Sequence, residues 1–281
     1  MDRAVSVVIP NYNGGGDLGR LVLDVLATTP QEVNVIIADD GSTNEETKKV
    51  LEFCRKLRRV KILKHSNWGV AKTSNHAILY CLIPEHIEFA KNSEVSKYPI
   101  PQKHDIISID NDIKIIDPHW FEKMTEGSPR HFGITSEDTP IGCYSGLILK
   151  EDNKIATAGV PITSKGFFSL RKDEEYNPEI NYSAQVEGAY LAATYITYEA
   201  ICRMLKVHGR IFDERYFPCW VEDVDFCVEI GKLGFATVQT NAPFLHGGGV
   251  ENNPPGDIKE IKRRNRQTFK DKWGLDIDIN I

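Results

Sequence analysis

The sequence predicts an α/β protein built on a mostly parallel, Rossmann-like central sheet flanked by helices, with a small β-meander. Three observations predict it. Short β-branched runs alternate with amphipathic stretches through the first 110 or so residues. Those runs are predominantly apolar, as in strands buried on both faces. The stretches between them are long enough to hold a helix, which implies parallel βαβ units.

The elements follow in order. Val5–Ile9 reads as a buried strand and Asn11–Gly16 as a glycine and asparagine loop. Leu18, Leu21, Val22, Val25 and Leu26 recur at helical spacing. Val33–Ala38 is a second strand. Ser42 and Thr43, three residues before Glu45 and Glu46, predict a capping box for a second helix through Leu57. Val60–Leu63, Ala71–Leu82 and Asp105–Ile109 continue the alternation as strand, helix and strand. Residues 84–104 are polar and proline-bearing, a surface excursion. A short helix is expected around Trp120–Met124. Cys143–Leu149 and Ile155–Val160 form a meander around Asp152-Asn153. Ala189–Thr197 reads as a strand, Glu199–Val207 and Glu222–Leu233 as helices, and Phe235–Thr240 as a strand. Asp257–Trp273 is a basic helix.

The chain has 281 residues, 41% hydrophobic and 26% charged, ordinary usage for a globular domain and unlike a disordered or coiled-coil chain. Length suits one domain, read here as residues 1–117, 118–250 and a helical tail at 251–281. A net charge of −6 disfavours a nucleic-acid partner. No apolar run approaches the roughly 20 residues of a membrane span. Met1–Pro10 has no basic region before an apolar stretch, so no signal peptide is expected. The six cysteines form no CxxC pair and read as reduced thiols of a cytoplasmic protein.

Four features could carry chemistry. Asp39-Asp40-Gly41-Ser42 ends the second strand, where ligands of open α/β sheets gather. A carboxylate there can accept from a base imide or a ribose hydroxyl, although these residues also form turns and caps. Asp110-Asn111-Asp112 ends the fourth strand. Two exposed carboxylates at that spacing suit Mg²⁺ or Mn²⁺, and equally a solvated turn. Glu222 and Asp223 open a helix, either to complement its dipole or to act as a general base. His246 precedes three glycines; it is a structural histidine or a ligand beside a mobile loop.

The ordered series VSVVIPNYNG, ADDGST, HSNWGVAKTSNHAI, SIDNDIKIIDPHWF, FDERYFPCWVEDVDFCVEIGKLGF and APFLHGGG resembles the family-2 glycosyltransferases of the GT-A fold. It looks closest to their rhamnosyltransferase-like branch, which the RNRQTFKDKWG tail also resembles. The resemblance implies that Pro10, Tyr12 and Asn13 form the first nucleotide-binding loop. Asp40 contacts a pyrimidine base with Asp39 beside it. Asn67, Gly69 and Lys72 flank the nucleotide and its phosphates. Asp110 and Asp112 hold the metal with Asn111 between them, and His246 joins that shell. Glu187 and Gly188 line the donor sugar. Glu222 and Asp223 supply the base, Asp223 foremost.

These roles describe an inverting, Mn²⁺- or Mg²⁺-dependent transfer from a UDP- or dTDP-sugar to a saccharide or glycolipid hydroxyl, in the synthesis of a cell-surface polysaccharide or glycan. The basic tail either touches an anionic membrane face or is a solvated surface. The rivals are a nucleotidyltransferase and an inactive nucleotide-sugar-binding module. The first would more naturally carry a basic glycine-rich loop, and Asn11–Asp17 has no Lys or Arg.

Overall fold

The computed structural model describes residues 4–82, 104–125, 139–163, 166–167, 169–247 and 256–275. The excursion expected near 84–104 lies almost wholly outside them, as do Gly248 and Gly249.

Strands β1 (Ala4–Asn11), β2 (Asn34–Asp39), β3 (Val60–Lys64) and β4 (His104–Ile109) alternate with helices α1 (Gly15–Thr28), α2 (Glu45–Cys54) and α3 (Val70–Leu82). These four strands are parallel, in the order β3-β2-β1-β4. Beyond β4 the sheet is mixed. Strand β5 is Ile113–Ile115, helix α4 Trp120–Thr125, and the meander strands are β6 (Ile141–Leu149) and β7 (Ile155–Thr157). A two-stranded ribbon, β8 (Ile162–Thr163) and β9 (Gly166–Phe167), stands apart. Strands β10 (Ala184–Val186) and β11 (Ala193–Ile196), helices α5 (Tyr198–His208) and α6 (Glu222–Lys232), strand β12 (Ala236–His246) and helix α7 (Ile258–Trp273) complete the fold. The sheet continues from β4 through β11, β6 and β12 to β10. Strand β11 runs antiparallel to both neighbours, and β12 is parallel to β6.

Alternate residues of the central strands feed two cores, as the two-residue side-chain period requires. Val7 and Ile9 of β1 and Val35 and Ile37 of β2 pack with Leu18, Leu21 and Trp120 on one face. Val8, Ile36 and Ala38 pack with Ile78, Ile201 and Phe226 on the other. A smaller core joins Phe269 of α7 to Tyr216, Val160 and Val224.

Three expectations need correction. The cap of α2 is Asn44, whose side chain accepts the Thr47 N–H at 2.8 Å. Ser42 is drawn off to Asp39 instead, so no Ser/Thr–Glu capping box forms. The strand read at Ala189–Thr197 begins only at Ala193, because the preceding backbone turns to meet Asp110. The strand read as ending at Thr240 runs on to His246, pairing with β5. The tail helix has two faces: Ile261, Asn265 and Phe269 are buried at four-residue spacing, while Lys259, Arg263 and Arg264 are exposed. All six cysteines are free thiols. Among the described residues, no helix is long and apolar enough to cross a membrane.

Candidate active site

The sheet changes winding direction between β1 and β4, and ligands of such sheets sit at the carboxyl ends of strands beside that point. Register decides which residues meet there. Asn11 lies opposite Asp39 at the ends of β1 and β2. Its amide donates to Asp39 at 2.8 Å, and its carbonyl oxygen accepts from Asn111 at 2.8 Å. One buried asparagine therefore ties three strand ends together, and the sequence reading gave it no role. Ser42 donates to Asp39 at 2.6 Å and accepts the Asn13 N–H at 2.8 Å. Asn13, at φ 54, accepts in turn from the N–H groups of Thr43 and Asn44. Asp39 and Asn13 thus build the loop, and Pro10 and Tyr12 ride on it.

Asp40 is buried and accepts the N–H groups of Trp68 at 2.6 Å and Gly69 at 2.9 Å. His65 Nδ1 lies 3.3 Å from the same carboxylate, and its ring stacks on Trp68 at 4.0 Å. Gly41 and Gly69 have positive φ, and a Cβ at Gly69 would stand 2.8 Å from the Phe217 ring. No other residue fits that approach without displacement. Asn67 Oδ1 is buried without a hydrogen-bond partner, a polar atom aimed at no protein donor. Lys72 is exposed, with its ammonium 4.8 Å over the Trp68 ring.

At the end of β4, the pairing of His246 with Ile113 brings the imidazole 3.4 Å from Asp112. The Gly247 N–H donates to the Asp112 carbonyl. The expectation of exposed carboxylates fails for Asp112, which is only 8% exposed. Antiparallel β11 places the Ala192 carbonyl on the Asp110 N–H at 2.9 Å.

Glu222 and Asp223, more than 100 residues later in sequence, open α6 on the same cavity as Asp110, Ser74, Ser108, Leu191 and Phe212. Burial, then Asp112, pushes the Asp110 carboxyl up to about 7, with His246 opposing. Burial pushes Asp223 to about 6, against backbone N–H groups that include that of Leu191. Burial and Asp223 push Glu222 well up, and its Oε2 is buried with no hydrogen-bond partner. Burial disfavours a charged His246, but Asp112 and Asp110 outweigh it and raise the imidazole. Carboxyls that burial and each other's charge hold near neutral gain from an added cation. The two carboxylates, Asp110 and Asp112, match the oxygen preference of Mn²⁺ or Mg²⁺.

Gly188 pairs with Val160 in an isolated bridge, and Glu187 beside it is exposed. Neither lines the cavity holding Asp110 and Asp223.

A second acidic group, Asp213, Asp225 and Glu229, has ligand atoms within 4.8 Å of one another. It is already filled by cations. Lys272 Nζ lies 3.0, 2.6 and 2.6 Å from the three carboxylates, and Arg210 grips Glu229 with two bonds of 3.0 Å. Asn75 of α3, also unassigned from sequence, accepts the N–H groups of Ile211 and Phe212 and donates to the Phe212 carbonyl. It fixes the approach to the 3-10 turn Glu214–Tyr216.

Residues 6–82 match the Glycosyl transferase family 2 profile. Across 238 residues, the chain is 23% identical to the glycosyltransferase GlyG of Streptococcus pneumoniae, covering 80% of this chain and 78% of that one. Its fold is similar to that of GalNAc-T7, solved with UDP, GalNAc and Mn²⁺, at TM-score 0.59 and 15% identity. It also matches the mannosyltransferase PcManGT of Pyrobaculum calidifontis, solved with GDP-Man and Mn²⁺, at TM-score 0.53 and 13% identity. The alignments cover 98% and 96% of this chain, but it spans only 55% and 62% of those chains.

Proposed function

We propose that this chain, a family-2 glycosyltransferase of the GT-A fold, moves a sugar from a UDP- or dTDP-linked donor to a saccharide or glycolipid hydroxyl with inversion. The carrying observation is that Asp110 at a strand end and Glu222–Asp223 at a helix start line one cavity. A transferase needs those two functions side by side: a place for the diphosphate's charge and a base for the acceptor.

Asp110, Asp112 and His246 would hold the divalent cation, which when bound stabilises negative charge on the leaving diphosphate. The chain's own residues do the rest. Asp40 and the loop Asn67–Gly69 border the base, and Asp40 keeps lone pairs for a pyrimidine imide N–H. Pro10, Tyr12 and Asn13 cover the nucleotide, and Lys72 stands beside its phosphates. Asn111 keeps the first loop against the metal carboxylates. Glu187 and Gly188, outside the cavity lining and close to Val224 of α6, would reach the donor sugar only from its outer side.

Asp223, raised toward neutrality yet largely ionised above pH 6, takes the acceptor's proton during attack. Glu222 is its alternate. A base at the helix start, with the diphosphate held at Asp110, supports single displacement and inversion. The rhamnosyltransferase-like reading of the donor rests on the motif series and the tail. A role in polysaccharide or glycan assembly, at the cytoplasm or its membrane face, follows from that reading. One catalytic domain carries both roles: residues 1–117 bind the nucleotide, 118–250 bind the acceptor, and 251–281 form a helical tail.

Incubation with Mn²⁺ and a panel of UDP-, dTDP- and GDP-sugars tests it. Release of UDP or dTDP supports the reading. With pyrophosphate added, release of nucleoside triphosphate and sugar 1-phosphate would mean a nucleotidyltransferase; no turnover would mean a binding module, and a GDP preference would remove the role of Asp40.

A further inference from the structure

Helix α7 grips the segment that leads into the base from three directions. Asn265 is fully buried, and its Nδ2 lies 3.1 Å from the Tyr216 carbonyl oxygen, 2.7 Å from that of Cys219 and 3.2 Å from that of Trp220. Carbonyl oxygens only accept, so the amide must turn its NH₂ toward them, sharing two protons among three acceptors. Arg264 donates to the Phe217 carbonyl. The Lys262 ammonium stands 5.0 Å over the Trp220 ring.

The gripped segment is also a strained one. Trp220 and Val221 have φ of 74° and 80°. A β-branched residue in the left-handed region persists only where its surroundings over-determine it. Glu222 and Asp223 follow at once. The Val221 carbonyl accepts the Asp225 N–H at 2.9 Å, so the conformation of Val221 sets the direction in which α6 starts. On its other side the segment abuts the donor loop, where the Val70 N–H donates to the Pro218 carbonyl at 2.7 Å. Lys272 and Trp273 anchor the far end of α7 on Asp225, so α7 stays docked without Asn265.

We infer that Asn265 is a positioning residue: it holds the Cys219–Val221 segment, with Trp220 and Val221 left-handed, in the conformation that aims Glu222 and Asp223 into the cavity beside Asp110. The role of those carboxylates as base rests on the proposed function, whereas the hold on the loop does not.

The test compares the full chain with Asn265→Ala, in the presence of Mn²⁺ and UDP, by hydrogen exchange and by UDP release from whichever UDP-sugar the wild type consumes. Exchange should speed up over residues 219–225 and stay unchanged over 105–113 and at Phe269. The rate kcat should fall on the order of 100-fold, the cost of a displaced catalytic group, with donor KM unchanged. Adding Val221→Gly should restore part of that loss, because glycine takes a positive φ without penalty. Should Asn265→Ala not fold, Asn265→Ser keeps one donor and should show the same pattern more weakly. Unchanged exchange over 219–225, release of α7 as a whole, or a loss that Val221→Gly does not relieve would overturn the assignment. If the wild type consumes no donor, the functional reading fails, and the exchange pattern still decides whether Asn265 holds the loop.

Discussion

Two carboxylate clusters meet helix α6, one at its first turn and one along its side, and they are built oppositely. The side cluster of Asp213, Asp225 and Glu229 contains its own cations, Arg210, Arg215 and Lys272. Burial works against Asp213, yet hydrogen bonds from Arg215 and Lys272 hold it below the usual carboxylate range. Arg210 and Lys272 do the same for Glu229. Asp225, the most enclosed, stays raised by burial despite Lys272. In the cluster at the helix start, burial and neighbouring carboxylates push Asp110, Glu222 and Asp223 upward together. The comparison teaches that acidity alone does not mark a site. A cluster with its counter-ions built into the chain is architecture, and one whose acids raise each other is where an outside cation or an acceptor's proton gains most.

Removing one member from each cluster should break them in different ways. Asp223→Asn keeps the shape and removes the proton acceptor, so transfer should drop about 10²–10⁴-fold while UDP binding persists. Near-normal turnover would move the base to Glu222. Lys272→Met should leave three buried carboxylates short of a cation and cost about 3–5 kcal/mol in urea unfolding. A neutral result would mean Arg210 and Arg215 suffice alone.

The clusters should also separate with pH, by smaller amounts. Asp110 and Asp223 keep their protons in the folded chain up to about 7 and about 6, whereas the unfolded chain loses them near 4. Between those limits the metal-free protein should lose stability as pH rises. Asp213 and Glu229 act the other way: their stabilisation is present above the ordinary carboxylate range and disappears as pH falls below it. Thermal melting of the metal-free chain from pH 4 to 8 should show the first trend, weakened by Asp110→Asn. A slope indifferent to that substitution would refute the environment described for Asp110.

The same contrast explains what the sequence made legible. The apolar runs Val5–Ile9 and Val33–Ala38 declare their strands by composition, and Asp40, Asp110 and Asp112 announce themselves by ending strands. The bond from Asn111 to Asn11 does not, because that pairing is set by register across 100 residues of chain. Strands β5 and β10, three residues each, are too short to show a period. In α7 the abundance of Lys and Arg hid the inward stripe of Ile261, Asn265 and Phe269. The four-residue spacing was the available signal. Ser42 could not be read as a partner of Asp39 rather than a cap without knowing where the β1 loop passes.

The central claim is that Asp110 and its neighbours Asp112 and His246, beside the helix start, take a cation together with a nucleoside diphosphate. Calorimetric titration of UDP into the chain, with and without Mn²⁺, tests it most directly when repeated on Asp112→Asn and Asp213→Asn. The account predicts Mn²⁺-dependent binding by the wild type, its loss in Asp112→Asn, and its retention in folded Asp213→Asn. Unchanged Mn²⁺-dependent binding in Asp112→Asn, or loss only in Asp213→Asn, would contradict it.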